Sequence, residues 1–263
     1  MIDLHNHILP GLDDGAADLE ESVDIARRFV EEGVATVAAT PHFNPFRPDQ
    51  NGQPVRERVE EVQAALRSRR IDLTVLSGNE ILLSPDLPDL LRSGAALSLG
   101  DSTAILVEFS FEHRPTFLED TLFRLEVAGY RPVLAHPERY GYVQRDVDST
   151  ADLAGRGVAL QLTAASLFGG YGQRARRTAE HLLLRGRYAC AASDRHHPEQ
   201  ARSLRDLHNK IAQLRDIETA DLLLIENPRR LLDGERVRLP APVEEPRQRS
   251  FLNRLFPRSS AEE

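Results

Sequence analysis

Short apolar runs alternate with amphipathic stretches through most of the chain. Seven runs read as strands: residues 2–5, 34–39, 73–76, 104–107, 132–135, 158–162 and 188–192. They are apolar at consecutive positions, so both faces are expected to be covered, as in a parallel sheet. Between them apolar residues recur at helical spacing. Leu19, Val23, Ala26, Phe29 and Val30 form one stripe, with Asp18 as its N-cap and Glu21 in the capping-box position. Val55, Val59, Val62 and Leu66 form a second. Further helices are expected over 116–128, in a short piece reaching Gly157, over 173–185, near 199–215 and over 219–232. Gly33, Gly129, Gly157 and Gly186 each close a helix just before a strand, where a left-handed residue suits glycine. Residues 44–54, rich in Pro, Asn and Gly, read as a loop, and the piece around Pro85 and Pro88 as irregular.

This repeated strand–helix order predicts an α/β fold. An open doubly wound sheet and a closed barrel both satisfy it, and the polar residues favour the barrel. His5 and His7 alternate at the end of the first strand, so they point to one face. His42 follows the second strand, Glu80 the third, Glu108 the fourth and His136 the fifth. Asp194 and His196 follow the seventh, and Asp14 lies in the loop after the first. In a parallel barrel the C-terminal ends of the strands share one face, whereas an open sheet spreads them along a line. Singly, each of these residues has an ordinary role as a helix cap, a surface acid or a core histidine. Their common register is what argues for a site.

Imidazoles and carboxylates without thiolates suit manganese, iron or zinc in a catalytic centre. Nine donors exceed the needs of one ion and fit two or three if a carboxylate bridges. Such sites clamp the oxygens of a phosphoryl group and generate hydroxide near neutral pH. Arg139, three residues beyond His136, suits a bidentate grip on phosphate, with Arg202 and Arg195 as candidates for a second. His197 stands outside the ligand set and is a candidate proton donor.

Composition narrows the partners. The 263 residues carry a formal net charge of −8, which argues against a nucleic-acid binder. The single Cys190 lies in an apolar run and reads as a buried, inert thiol. The first strand begins at residue 2, so no signal peptide is expected, and no apolar run approaches the ~18 residues of a membrane span. The expected compartment is cytoplasmic. The composition shifts near Pro240, which divides the chain into a domain over 1–238 and a tail over 239–263. Pro240, Pro242 and Pro246 with acidic residues between them predict an extended, mobile segment. Residues 247–258 then combine Phe251, Leu252, Leu255 and Phe256 with Arg247, Arg249, Arg254 and Arg258. Two readings stay open for this basic amphipathic piece. It packs on the domain or on a second copy in a homo-oligomer, or it rests on an anionic membrane surface, which would place the chain peripherally at the inner membrane.

The motifs Asp3-Leu-His-Asn-His7, Leu12-Asp-Asp-Gly15, Thr40-Pro-His42, Gly78-Asn-Glu80, Val107-Glu-Phe-Ser110, Ala135-His-Pro-Glu-Arg-Tyr140 and Ser193-Asp-Arg-His196 together resemble the polymerase and histidinol phosphatase (PHP) superfamily. More narrowly, the chain is similar to bacterial manganese-dependent protein-tyrosine phosphatases of the CpsB/CapC type over residues 1 to about 233. The resemblance implies a distorted (β/α)7 TIM-like barrel of the PHP type holding a trinuclear cluster. It maps the ligands onto His5, His7, Asp14, His42, Glu80, Glu108, His136, Asp194 and His196, and the phosphate-gripping arginines onto Arg139 and Arg202. It also implies hydrolysis of phosphotyrosine by a metal-bridging hydroxide, with a membrane-associated tyrosine kinase of capsule and exopolysaccharide synthesis as substrate. A small-molecule phosphatase acting on a compound such as histidinol phosphate, and a non-catalytic kinase-binding barrel, are the alternatives. Two positions depart from the pattern: Arg195 stands where the family usually has a small residue, and His197 where it has Asn. Substrate contacts on that side are therefore open.

Overall fold

A computed structural model describes residues 1–44, 52–200 and 202–243. Among these residues are nine strands: β1 (Ile2–Asn6), β2 (Thr36–Ala39), β3 (His42–Phe43), β4 (Thr74–Ser77), β5 (Glu80–Leu82), β6 (Ala104–Glu108), β7 (Arg131–Ala135), β8 (Ala159–Thr163) and β9 (Cys190–Ala192). The helices that matter for the site are α1 (Leu19–Glu32), α2 (Gly52–Ser68), α3 (Leu87–Ser93), α4 (Leu118–Val127), α5 (Gly172–Leu184) and α6 (Leu204–Leu214).

All strand pairs are parallel, in two sheets ordered β1-β2-β4 and β3-β5-β6-β7-β8-β9. Where one closed ladder was expected, the second and third predicted strands are each followed, after a break, by a short further strand that pairs in the other sheet. Pro41 has no N–H to give the ladder, and Gly78-Asn79 interrupts the neighbouring strand at the same level. The break is bridged by side chains. Asn79 donates to the Pro41 carbonyl (3.1 Å) and accepts from the Leu97 N–H (3.0 Å), and the Thr40 hydroxyl accepts from the Asn6 N–H (3.1 Å). Beyond the break the chain resumes as β3 and β5, with His42 paired opposite Glu80.

Just past β9, the chain meets the end of β1. The His7 N–H donates to the Arg195 carbonyl and the Asp194 N–H to the His5 carbonyl, both at 2.8 Å, around a parallel bridge between Asn6 and Arg195. Buried Asp3 accepts from the Ser193 N–H (2.9 Å) and hydroxyl (2.7 Å). Burial pushes its carboxyl up to about 6 although those bonds favour the charged form.

Period-two alternation explains how apolar strands carry a polar site. Ala104, Leu106, Val133, Ala135, Ala159 and Cys190 belong to one small apolar cluster. Ile105, Val107, Leu134, Leu160, Leu162 and Ala191 belong to a larger one shared with Phe29, Leu66, Leu122 and Leu182 of the helices. The first face is apolar at the strands' beginnings and runs on to Glu108, Gln161 and Thr163 at their ends. Burial raises the Cys190 thiol to about 12, which keeps it protonated and inert.

Several predicted boundaries move. Asp18 accepts from the Glu21 N–H as a cap (3.0 Å), while the Glu21 carboxylate reaches the Ala17 N–H (2.8 Å), one residue beyond the expected box. The piece with Pro85 and Pro88 contains α3, which tolerates Pro88 in its first turn. Helix α2 begins at Gly52, inside the predicted loop, whose residues 45–51 lie outside the described residues. Helix α6 starts at a Ser203–Asp206 capping box, later than expected. The expected helix over 219–232 is three pieces, Ile217–Asp221, a π-helical turn Leu222–Glu226 and Asn227–Leu232. No helix among the described residues is long and apolar enough to cross a membrane. The basic segment 247–258 lies outside the described residues.

The start of the tail is held rather than free. Ala241 accepts from Arg215 (2.5 Å), and the Val243 N–H donates to the Leu184 carbonyl (2.8 Å). Gly186, which closes α5 at φ 64°, makes this contact possible, because a Cβ there would sit 2.0 Å from the Pro240 carbonyl oxygen. Gly186→Ala should therefore displace residues 240–243 and cost about 1–3 kcal/mol, the scale of one strained backbone position plus a clash. Urea unfolding measures it, and an unchanged midpoint would contradict the contact.

Candidate metal centre

The strand ends bring the nine sequence-predicted ligands together. Glu80 is buried at their centre. Its Oε1 lies 2.8 Å from His136 Nε2, and its Oε2 lies 3.1 Å from His42 Nδ1, 3.2 Å from His5 Nε2 and 3.6 Å from His7 Nε2. Asp194 Oδ1 approaches His5 Nε2 (3.3 Å) and His7 Nε2 (3.6 Å). Glu108 approaches His42 (3.6 Å) and His136 (3.9 Å). At the outer edge, Asp14 Oδ1 lies 3.5 Å from His196 Nε2 and 3.6 Å from His42 Nε2. The His196 ring stacks on that of His7 at 3.9 Å. Exposure rises from Glu80 at 1% to His42 at 38% and Asp14 at 69%, so the cluster opens on one side.

The electrostatics follow from packing so many ionisable groups below the surface. Burial opposes charge on His5, yet the Glu80 and Asp194 carboxylates outweigh it and raise its pKa to about 9. Burial would raise Glu80 and Asp194, but the imidazoles around them, His5 first, hold both below the usual carboxylate range. Glu108 is raised by burial and by the neighbouring Glu80 charge. His196 is lowered, mainly by burial and then by His7.

The donor set fits divalent cations. His5 Nδ1 donates to Gln161 Oε1 (2.9 Å), and His7 Nδ1 donates to Asp13 Oδ2 (2.7 Å). In both rings this directs Nε2 inward, where it is buried without a hydrogen-bond partner and faces carboxylate oxygens. Four groups of three or four such donors have their ligand atoms within 4.8 Å of one another: His7, Asp14, His42 and His196; His5, His7 and Glu80; His5, His136 and Asp194; His42, Glu80 and Glu108. Shared members among the groups suit more than one ion. Two of the ligand positions are left-handed without being glycine, His136 at φ 38° and Asp194 at φ 54°, and such strain gathers where a site dictates the backbone.

The arginines and His197 divide. Arg139 lies beside the cluster, 3.7 Å from Asp194 Oδ2, with its guanidinium over the rings of Tyr171 (3.9 Å) and Phe111 (4.5 Å). Arg202 is exposed and lies over Phe168 at 4.9 Å. Arg195 does not reach the cluster. Its buried guanidinium turns back to Glu32 of α1 (2.6 Å), and Glu32 also accepts from the Leu204 N–H at the start of α6 (2.8 Å). The departure at this position is thus accommodated by a buried ion pair behind the two ligands it separates. His197 likewise turns to Glu21 (3.1 Å) and is 59% exposed.

Several residues escaped the sequence reading. Asp13 is one, since adjacent aspartates in a loop give no signal of which faces inward. Gln161 follows the same strand-end rule as the ligands, so that signal was available. Tyr171, whose hydroxyl donates to Asp194 Oδ2 (3.3 Å), lies in a glycine turn with no periodicity. Glu138 is buried and accepts from the Tyr188 hydroxyl (2.9 Å) and the Thr163 N–H (3.1 Å), anchoring the turn that carries Arg139.

Comparison with known proteins agrees with this geometry. A family model described as capsular polysaccharide synthesis, CpsB/CapC, matches residues 1–233. Tyrosine-protein phosphatase YwqE of Bacillus subtilis is 37% identical over 196 residues, 74% of this chain and 77% of its own length. Tyrosine-protein phosphatase CpsB of Streptococcus pneumoniae is 26% identical over 238 residues, 88% of this chain and 98% of its own. A chain from the crystal structures of these two proteins, described as unique metal-dependent tyrosine phosphatases, superposes with a TM-score of 0.85 at 33% identity, covering 93% of this chain and 100% of that one.

Asp13 gives the sharpest test of the site. Besides orienting His7 it accepts from the backbone N–H of His42 (2.9 Å) and of Gly15 (3.0 Å), and the His7 bond and charge lower its pKa to about 2 against the effect of burial. Asp13→Ala should weaken metal binding about 10–100-fold, as loss of an orienting partner does. Metal titration of the apo-protein measures this, and unchanged affinity would remove Asp13 from that role.

Proposed function

The chain belongs to the CpsB/CapC family, and we propose that it is a metal-dependent tyrosine-protein phosphatase of capsular or exopolysaccharide synthesis. The observation that carries the reading is Arg139, held by two aromatic rings beside an open-sided cluster of nine metal-ligand side chains. We further propose that the two sheets form a distorted (β/α)7 barrel of the PHP type, joined where β1 meets the segment after β9. The proposed substrate is a phosphotyrosine protein, a membrane-associated bacterial tyrosine kinase, and the proposed compartment is the cytoplasm. The fully buried Glu80 and the outer, exposed Asp14 and His42 favour a mouth open enough for a protein surface over a closed pocket for histidinol phosphate.

His5, His7, Asp14, His42, Glu80, Glu108, His136, Asp194 and His196 are the proposed holders of two or three ions, manganese first and iron or zinc next. When bound, such ions supply Lewis-acid stabilisation of the phosphoryl oxygens and a nucleophilic water near neutral pH. The chain's own groups do the rest. Gln161 and Asp13 fix the tautomers of His5 and His7. Arg139 offers in-plane N–H donors to the equatorial phosphoryl oxygens, where charge accumulates in the transition state. The aromatic rings keep its guanidinium from swinging away. The tyrosine leaving group has a pKa near ~10, so the reaction leans little on a proton donor. That suits a site whose His197 is engaged with Glu21.

The test compares phosphotyrosine peptide, phosphoserine peptide and histidinol phosphate, using apo-protein with and without manganese. Turnover of the phosphotyrosine peptide alone, restored by metal, is expected. Full turnover after exhaustive chelation, with no metal by elemental analysis, would overturn the metal dependence, and a preference for histidinol phosphate would overturn the substrate. In the same assay, Arg139→Ala should lower kcat/KM by about 2–4 kcal/mol of transition-state stabilisation at unchanged metal content. A variant that turns over normally, or that loses its metal, would take Arg139 out of the phosphate site.

A further inference from the structure

Tyr171 stands at the mouth of the site with its polar end committed and its ring partly open. The hydroxyl donates to Asp194 Oδ2 (3.3 Å), and the Arg139 guanidinium lies over one face at 3.9 Å, yet the residue is 41% exposed. The hydroxyl and one face are engaged, and the rest of the residue is open enough to meet a ligand. The backbone fixes it there. Gly169 and Gly172, at φ 86° and 87°, bracket the turn, the Gly170 N–H donates to the Ala165 carbonyl (2.8 Å), and Tyr171 itself leads directly into α5.

Phe111 flanks the same guanidinium and is 37% exposed, but its ring already belongs to an aromatic stack. It lies against Tyr140 at 5.4 Å and His136 at 5.5 Å, in a stack that continues to Phe109 and Tyr142. Of the two rings over Arg139, Tyr171 is the one with no aromatic neighbour among the described residues, so a further ring can pack on it without displacing another. A phosphate gripped by Arg139 puts the group it esterifies one bond away, beside this ring. An aryl ester can stack there, and the short alkyl chain of phosphoserine cannot.

Resting on the phosphatase reading above, we propose that the Tyr171 ring packs against the phenyl ring of the phosphotyrosine substrate and sets the preference for aryl over alkyl phosphate esters. Tyr171 is then a specificity-determining residue that touches substrate, beyond its contact with Arg139.

The experiment uses the metal-loaded full chain and its Tyr171→Leu and Tyr171→Phe variants, each matched to wild type in metal content. Two quantities are read: KM for a phosphotyrosine peptide, and the inhibition constant of inorganic phosphate, which has no ring to stack. Tyr171→Leu should raise KM roughly fivefold or more, the scale of one aromatic pair, and leave phosphate inhibition within about twofold. Tyr171→Phe, which keeps the ring, should restore the lower KM while kcat falls with the lost bond to Asp194. An equal rise in both constants for Tyr171→Leu would mean that Tyr171 acts only by holding Arg139, and it overturns the inference alone. An unchanged KM also overturns it. Wild-type protein inert toward the phosphotyrosine peptide overturns the phosphatase reading, and the inference with it.

Discussion

Everything in this molecule depends on keeping the Glu80 carboxylate charged and out of water. A buried carboxylate without partners costs several kcal/mol, and Glu80 is surrounded instead by His5, His7, His42 and His136. Those histidines come from three different strand ends, so the sheets must deliver their termini to one place. The breaks at Pro41 and Gly78-Asn79 serve that end. They interrupt regular pairing just where His42 and Glu80 have to turn inward, and the Asn79 side chain takes up the backbone groups the break would leave unpaired. The same logic recurs at the other junction, where the Asp3 carboxylate takes the Ser193 N–H beside Asp194.

The α/β class and the convergence of the nine side chains were legible because both rest on periodicity. Parallel strands covered on both faces leave consecutive apolar positions, and polar residues that then recur only at the ends of such runs must share one rim. That reasoning finds Glu108 and His136 without knowing the three-dimensional path. It fails where position depends on side-chain direction instead. Arg195 lies between two proposed ligands in sequence, yet its side chain runs away from them to a buried pairing with Glu32. Asp13 and Asp14 occupy consecutive loop positions, and only the conformation of the loop decides that one orients His7 while the other reaches His196 and His42. The split of the sheets was illegible for a further reason: a proline and a glycine mark an interruption without saying that pairing resumes beyond it.

The gradient of burial across the cluster ties these parts together. At its inner end His5, His7 and Glu80 are sealed, and the Nδ1 atoms of the two histidines are paired with Gln161 and Asp13, so each ring is held in one orientation. At its outer end His42, Asp14 and Arg139 face solvent, and the groups near Arg139 are aromatic. A rigid, preorganised interior lowers the cost of reorganisation when charge develops at the rim. An exposed rim lets a side chain presented on another protein's surface reach it. Sealing the whole cluster would give the first property and lose the second, and exposing it would reverse the exchange. The nine donors are spread along an inside-to-outside line because a protein-directed phosphatase needs both.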